Sequence, residues 1–181
     1  MRQPTLAAAV NHPGLARCFT LALALAALAP RPALAQAMPN PYGAPISSEL
    51  ARKAAAAALA EARKNGWAVY ATVVDSGGAV AYVERIDGVQ SASAEVSAAK
   101  ARTAVHFKRA TKLMEERITA GGLQYLGLPG AVPLEGGIPL VLDGKIVGAI
   151  GVSGVTSAQD GQCARAGAEA LAPAAAPATA R

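Results

Sequence analysis

Four stretches of the chain have the composition or spacing of helices. An alanine-rich stretch comes first, and apolar residues then recur every three or four positions through Val96, Ala99, Thr103 and Phe107. Near the C-terminal end, Ser157 with Asp160 three residues later is typical of a capping box at the start of a helix. The predicted helices cover ELARKAAAAALAEARKN, about Ser93–Arg109, TKLMEERI, and a segment from Ser157 to near Leu171.

Two β-hairpins are predicted between these helices. WAVYATVV and AVAYVERI are rich in β-branched and aromatic residues, and the DSGG between them contains the glycines that a tight turn needs. IPLVLDGKIVGAIGVSG forms a second hairpin that turns at Asp143–Gly144. Two hairpins separated by helices cannot form an all-parallel sheet. The order α-β-β-α-α-β-β-α therefore predicts an α+β fold, an antiparallel sheet flanked by helices.

The two ends of the chain differ from this middle part. FTLALALAALA follows a basic start and precedes the small residues Ala33–Ala35, which predicts that residues 1–35 are a signal peptide cleaved after Ala35. We therefore expect a periplasmic or secreted protein without a transmembrane anchor in its mature chain. Residues 36–47 are predicted to be a flexible lead-in, 48–171 the folded domain, and 172–181 a disordered tail rich in alanine and proline.

Charge and cysteine content exclude some classes of function. Cleavage after Ala35 removes three of the 17 basic residues and none of the 12 acidic ones, so the net charge falls from +5 to +2. With few aromatic residues as well, the sequence does not predict nucleic-acid binding. Cys163 is the one cysteine left after cleavage, and its small neighbours predict a buried, inert thiol.

Four segments carry a resemblance to a known family. VVDSGGAVAYVERIDG, KARTAVHFKRAT, GGIPLVLDGKIVGAIGVSG and the Gln159–Asp160 pair together resemble the GlcG/HbpS family of haem-binding and haem-degrading-type proteins. The resemblance implies a profilin-like fold, homo-oligomers, and haem or iron binding in secreted members, one of which works beside a sensor kinase. Another branch is named for a glycolate-use operon. The implied alternative is thus a protein that binds or converts a small hydroxy acid.

The chain departs from the family pattern at two positions. Ala110 stands where the family commonly has proline in Phe-x-Arg-Pro-Thr, which predicts that the second long helix runs on through Ala110. Gly161 follows Asp160 where the family commonly has a carboxylate.

His106 and Thr111 are the candidate iron ligands. His106 has Arg102 and Arg109 as helical neighbours, which would favour the neutral imidazole that ligates iron. The alternative is that Arg102, His106 and Arg109 form a polar stripe facing solvent. The resemblance implies a role in haem coordination for a threonine at Thr111, and the alternative is a helix cap.

The remaining candidate residues would contact the parts of a bound ligand other than its iron. Arg109 and Lys112 are expected near the propionates of a haem. Glycines at strand ends allow either the close approach of a flat ligand or a tight backbone contact. These candidates are Gly136, Gly137, Ser153 and Gly154, which the hydroxy-acid alternative would use as its pocket.

The sequence favours a binding protein over an enzyme. Asp75, Glu84, Arg85 and Asp87 cluster around the first hairpin, but the mature chain has one histidine and no Ser-His-acid pattern. We therefore expect an exported protein that binds haem or its iron, possesses no catalytic residues, and has a sensor protein as its partner. The alternatives are the hydroxy-acid protein and an interaction protein that docks on a sensor.

Overall fold

A computed structural model describes residues 39–171. The predicted signal peptide and the predicted C-terminal tail lie outside the described residues. The elements in chain order are α1 (Ser48–Lys64), β1 (Tyr70–Asp75), β2 (Val80–Arg85), α2 (Ser93–His106), α3 (Lys112–Thr119), a 3-10 helix (Leu123–Gly127), β3 (Gly137–Leu142), β4 (Lys145–Ser153) and α4 (Ser157–Glu169). This order confirms the α+β prediction. Within the described part, no helix is both long and apolar enough to cross a membrane.

The four strands form one antiparallel sheet in the order β2-β1-β4-β3. Helices α1 and α4 pack on each other and cover one face of the sheet, while α2 covers the other. The first face carries the larger core, in which the alanines of α1 meet β-branched residues of the sheet.

Glycines allow α2 to lie directly on the sheet. A Cβ atom at Gly151 would collide with the carbonyl oxygen of Ser97, and one at Gly137 would collide with that of Lys100. Gly137 and Gly151 face each other across β3 and β4. The absence of both side chains therefore sets the distance between α2 and the sheet.

The end of α2 differs from the prediction. The helix stops at His106 and does not run on through Ala110, so that expectation was wrong. Lys108 has a φ of 52°. The backbone N–H of Arg109 donates to the carbonyl of Ala104, and that of Lys108 donates to the carbonyl of Val105, both at 3.2 Å. This is a Schellman motif, which reverses the chain whether or not a proline follows.

The start of α4 also differs from the prediction. The capping box is formed by Thr156 and Gln159, whose side chains each accept a hydrogen bond from the other residue's backbone N–H. Ser157 lies inside the helix and donates its hydroxyl to Glu115 at 3.0 Å. Asp160 takes no part in this capping box and pairs with Lys100 instead.

The described part of the lead-in is attached to the sheet. Gly43 donates to Ile146 at 2.8 Å, Ile46 donates to Val147 at 2.9 Å, and Ile146 donates back to Pro41 at 2.8 Å. Tyr42 forms a parallel bridge with Ile146. Residues 41–46 therefore continue the hydrogen bonding of β4 beyond the end of β1.

Candidate functional site

His106 occupies the last turn of α2 and is exposed. Its Nε2 packs against the turn between β1 and β2, since a Cβ atom at Gly78 would lie 2.5 Å from it. Arg102, one helical turn earlier, donates from Nε to the carbonyl of Gly78 at 3.2 Å. The imidazole and this guanidinium therefore form an exposed pair on the first hairpin.

Thr111 lies in a different environment from His106. It is fully buried, and its hydroxyl oxygen accepts a hydrogen bond from the backbone N–H of Gly137 at 2.9 Å. Its own N–H donates to the carbonyl of Gly137 at 3.0 Å. Thr111 precedes α3, but its side chain makes no capping bond there. The hydroxyl therefore ties the start of α3 to β3 and is closed to an external ligand in this conformation.

Lys112 faces carboxylates. Its Nζ lies 2.9 Å from Glu135 Oε2, and Arg165 lies 2.9 Å from the other oxygen of that carboxylate. The hydrogen bond that Lys112 donates to Glu135 raises the pKa of Lys112. Burial raises the pKa of Glu135, but the hydrogen bonds from Lys112 and Arg165 outweigh it, and the net shift is downward.

An open cavity of about 400 Å³ adjoins this ion pair, lined by Lys112, Glu115, Glu116, Thr119, Ala120 and Glu135. With three carboxylates around one ammonium, this cavity has the wrong charge for the propionates of a haem. The structure thus separates Lys112 from the role that the sequence suggested.

The position of the Glu135 carboxylate explains why residue 161 has no side chain. A Cβ atom at Gly161 would collide with the carboxylate of Glu135. The missing side chain leaves the space that this carboxylate occupies between Lys112 and Arg165. The departure from the family pattern at this position therefore coincides with a carboxylate supplied from elsewhere in the chain.

The strand-end residues are used in packing inside the chain. A Cβ atom at Gly136, whose φ is 131°, would lie 3.0 Å from Lys100 Nζ, and one at Gly154 would collide with the carbonyl of Ala68. Ser153 is buried, with its hydroxyl 3.4 Å from that of Ser93. Gly136, Gly137, Ser153 and Gly154 are therefore held against their own chain, and the pocket expected for a hydroxy acid is filled.

A buried ion pair that the sequence did not indicate crosses the sheet edge beside Gly136. Lys100 Nζ lies 2.7 Å from Asp160 Oδ2, and both side chains are nearly inaccessible. Lys100 also donates to the carbonyl of Val152 at 3.2 Å, and Asp160 accepts from Val155. Burial raises the pKa of Asp160, which the hydrogen bond from Lys100 partly offsets. Every polar atom of the pair has a partner, so the pair joins α2 to α4 and is unavailable to a ligand.

The acidic residues of the first hairpin do not form an acid–base pair. Asp75 accepts hydrogen bonds from Gly77 and Ala79 at 2.9 and 3.0 Å and stabilises the turn. Glu84 accepts from Tyr82, and Arg85 donates to Tyr70. Asp75, Glu84 and Arg85 therefore each bond a different partner.

A cavity of about 350 Å³ opens between the end of α2 and the 3-10 helix. It is lined by Phe107, Arg109, Gln124, Tyr125 and Leu128. The Nε of Arg109 donates to the backbone carbonyl of Phe107 at 3.0 Å, which ties the arginine side chain to the chain reversal at the end of α2. Of the candidate residues, Arg109 alone lines this cavity. Phe107, Gln124, Tyr125 and Leu128 were missed, although a long glycine-rich loop with one tyrosine was a signal.

A second apolar cavity of about 460 Å³ lies along the same loop, with Ile118, Leu126, Val132 and Leu134 among its lining residues. Leu126 and Leu134 remain substantially exposed. The 3-10 helix therefore contributes to two open cavities, and the larger of the two is mainly apolar.

The described residues include neither a metal-binding cluster of side chains nor an exposed thiol. Among residues 39–171, no group of three His, Cys, Asp or Glu side chains could hold a metal ion. Cys163 is buried, as predicted, and burial raises the pKa of its thiol to about 11. A thiol of this kind is inert near neutral pH.

Comparison with known proteins identifies the family of this chain. A family model described as "Haem degrading protein HbpS-like" matches residues 46–169, which is most of the chain. The chain belongs to the HbpS-like family. The resemblance predicted from the four sequence segments is thereby confirmed.

Three relatives of this HbpS-like chain illustrate the family. Protein GlcG of Escherichia coli strain K12 is 43% identical over 108 residues, which cover 60% of this chain and 81% of that protein. The crystal structure of a double mutant of Streptomyces reticuli HbpS is 34% identical with a TM-score of 0.66, over 80% of this chain and 99% of that one. The crystal structure of a PduOC:haem complex is 27% identical with a TM-score of 0.63, over 70% and 95% of the two chains. The agreement with HbpS confirms the fold.

Proposed function

We propose that this protein binds haem, or an iron species derived from haem, in the cavity between the end of α2 and the 3-10 helix. The observation that carries the proposal is the lining of that cavity, in which two aromatic residues, Phe107 and Tyr125, accompany Arg109. Aromatic rings suit a flat apolar macrocycle, and an arginine suits its carboxylates. The family description and the haem complex of PduOC support the same ligand.

The cavity fits part of a haem group. Its volume of about 350 Å³ lies at the lower end of the range common for small-molecule sites. Its open side would leave one edge of the macrocycle toward solvent, where the propionates are well hydrated. Arg109 is exposed and lines the cavity, and its guanidinium can form a charge-assisted hydrogen bond to a propionate.

Two side chains near this cavity can supply an axial ligand to iron. Tyr125 lines the cavity, and a tyrosine is a known type of haem ligand. His106 precedes Phe107 and is exposed, although its Nε2 packs on Gly78. Thr111 and Lys112 are not part of the proposed site, because the first is buried against Gly137 and the second is paired with Glu135.

Export to the periplasm or beyond, assembly into a homo-oligomer and a sensor-protein partner belong to the same proposal. They are supported by the sequence alone: the apolar FTLALALAALA segment for export, and the family resemblance for the other two. Cell fractionation with mass spectrometry of the mature N-terminus, and light scattering of the purified protein, test export and assembly separately.

A haemin titration of the chain from Gln36 onward tests the proposed site. We expect a saturable change of the Soret band at one haemin per chain, weakened in Arg109→Ala. Arg52→Ala is the matched control, because Arg52 is an exposed arginine on α1, far from the cavity in the fold. Tyr125→Phe and His106→Ala identify the axial ligand by loss of the ligated spectrum. Equal affinity in the Arg109 and Arg52 variants would contradict the site, and the absence of saturable binding would contradict the function.

A further inference from the structure

Residues 41–46, here called the strap, reach the C-terminal end of α2. Within the strap, the hydroxyl of Tyr42 donates a hydrogen bond to the carbonyl of Val105 at 2.9 Å and lies 3.3 Å from that of His106. The last carbonyls of a helix lack partners inside the helix. The carbonyl of Val105 already accepts from the N–H of Lys108, so Tyr42 gives it a second donor from 63 residues away.

The ring of Tyr42 makes a second contact with the same chain reversal. Lys108 adopts a φ of 52°, which is disfavoured for residues other than glycine. Its ammonium lies 4.1 Å from the centroid of the Tyr42 ring, within the range of a cation–π interaction. One tyrosine thus contacts both the final carbonyls of α2 and the residue at which the chain turns.

The strap is itself fixed to the sheet, so it can hold the helix end in place. Backbone hydrogen bonds join Pro41, Gly43 and Ile46 to the first residues of β4. A Cβ atom at Gly43 would lie 2.9 Å from that of Lys145, so the two backbones approach closely. Tyr42 consequently connects the edge of β4 to the end of α2.

We propose that Tyr42 is a positioning residue for the ligand cavity. The reversal that it contacts lies between Phe107 and Arg109, and both of those residues line the cavity. Loss of the Tyr42 contacts would let residues 107–109 fray and would spread the directions in which the ring and the guanidinium point. This inference rests on the proposed function, because the cavity must bind a ligand for the positioning to matter.

The test compares Tyr42→Phe and Tyr42→Leu with the unmodified chain from Gln36. Tyr42→Phe removes the hydroxyl and keeps the ring over Lys108, whereas Tyr42→Leu removes both contacts. Tyr82→Phe is the control, because it removes a tyrosine hydroxyl that bonds Glu84 on β2. Two quantities are measured for each variant: amide hydrogen exchange of residues 107–109 and the dissociation constant for haemin. The midpoint of urea unfolding is recorded beside them.

We expect amide exchange at residues 107–109 to be faster and the haemin dissociation constant to rise about three- to tenfold in Tyr42→Phe, as for one lost hydrogen bond. Both effects should be larger in Tyr42→Leu, while exchange in α1 and α4 and the affinity of Tyr82→Phe stay unchanged. A merely structural role would lower the unfolding midpoint without this graded loss of affinity.

Two results would overturn the inference. Unchanged exchange at 107–109 in both Tyr42 variants would show that the tyrosine does not hold the helix end. Faster exchange with unchanged haemin affinity would show that it holds the helix end but does not position the site. If the unmodified chain itself fails to bind haemin saturably, the proposed function falls, and the exchange rates alone still decide whether Tyr42 holds residues 107–109.

Discussion

Lys108 determines where α2 ends and where the candidate site begins. Together with Asp143, it is one of two residues other than glycine that the described backbone places at positive φ. Asp143 belongs to a hairpin turn, where an Asp-Gly pair is expected in this conformation. Lys108 has no such sequence signal, and the helix was predicted to continue past it because Ala110 stands where the family commonly has proline.

Substitutions of Lys108 separate its backbone strain from its contact with Tyr42. Lys108→Ala keeps the left-handed conformation and loses the cation–π interaction, so we expect a loss of about 0.5–1 kcal/mol in the free energy of unfolding. Lys108→Gly loses the same interaction but relieves the backbone strain. We therefore expect its free energy of unfolding to exceed that of the alanine variant by about 0.5–1 kcal/mol. Urea unfolding measures both, with Lys64→Ala, at an exposed lysine in the last turn of α1, as the control. A glycine variant less stable than the alanine variant would contradict this explanation.

Glu135 should make the stability of the protein depend on pH in the acid range. Its folded-state pKa lies below the ordinary value of 4.5, because the hydrogen bonds from Lys112 and Arg165 outweigh burial. A lowered pKa stabilises the fold above the unfolded-state value, and that contribution is lost as the pH falls through the folded-state value.

Glu135→Gln removes this contribution. We expect the variant to be less stable than the unmodified protein at pH 7, by about 1–2 kcal/mol because Lys112 and Arg165 are half-exposed. The difference between the two should shrink as the pH falls below about 4.5. Urea unfolding at a series of pH values measures it, with Glu116→Gln on the exposed side of α3 as the control. A difference that is constant with pH would argue against the role given to Glu135.

At the scale of elements, the order of helices and strands could be predicted because each depends on local signals. The local signals are the enrichment of the strands in β-branched and aromatic residues, the DSGG and Asp143–Gly144 turns, and the alanine-rich helix, and each of them acts over a few residues. The ends of helices depend on distant partners instead. Thr111 bonds Gly137, 26 residues away, and the helix start at Thr156 frees Asp160 for Lys100, 60 residues away. No local pattern reveals such contacts.

The packing of α2 on the sheet should depend on glycine at Gly151. A Cβ atom there would collide with the backbone of Ser97, which cannot yield without moving the helix. We expect Gly151→Ala to lower the free energy of unfolding by about 2 kcal/mol or more. Gly127→Ala is the matched control, because that glycine has no positive φ and open space around it. Equal stability of the two variants in urea unfolding would contradict the close approach of α2.

At the scale of the whole molecule, the candidate site could be predicted only in part. The sequence placed His106, Arg109, Thr111 and Lys112 together because they are neighbours in the chain. The reversal at Lys108 separates them: His106 packs on Gly78, Thr111 is buried against Gly137, and Lys112 faces Glu135. The residues that join Arg109 instead come from a loop 15 to 20 positions further on, whose conformation has no simple periodicity.

The strand-end glycines illustrate the same limit. Composition allowed either a ligand or a close backbone contact, and the choice between them depends on how near α2 lies to β3 and β4. That distance is a property of the packed layers as a whole. The family, by contrast, could be recognised from four short segments. Their order along the chain can be read from the sequence without knowing what the side chains contact.

Paramagnetic broadening by haemin tests the central claim most directly. Ferric haemin added to the isotope-labelled chain from Gln36 should broaden the backbone amide signals of residues near its iron, and iron-free protoporphyrin serves as the diamagnetic control. If haem binds between α2 and the 3-10 helix, the signals of residues 107–109 and 124–128 should be lost first, at one equivalent. Broadening centred on residues 136–137 and 153–154, or spread evenly over the surface, would contradict the proposed site.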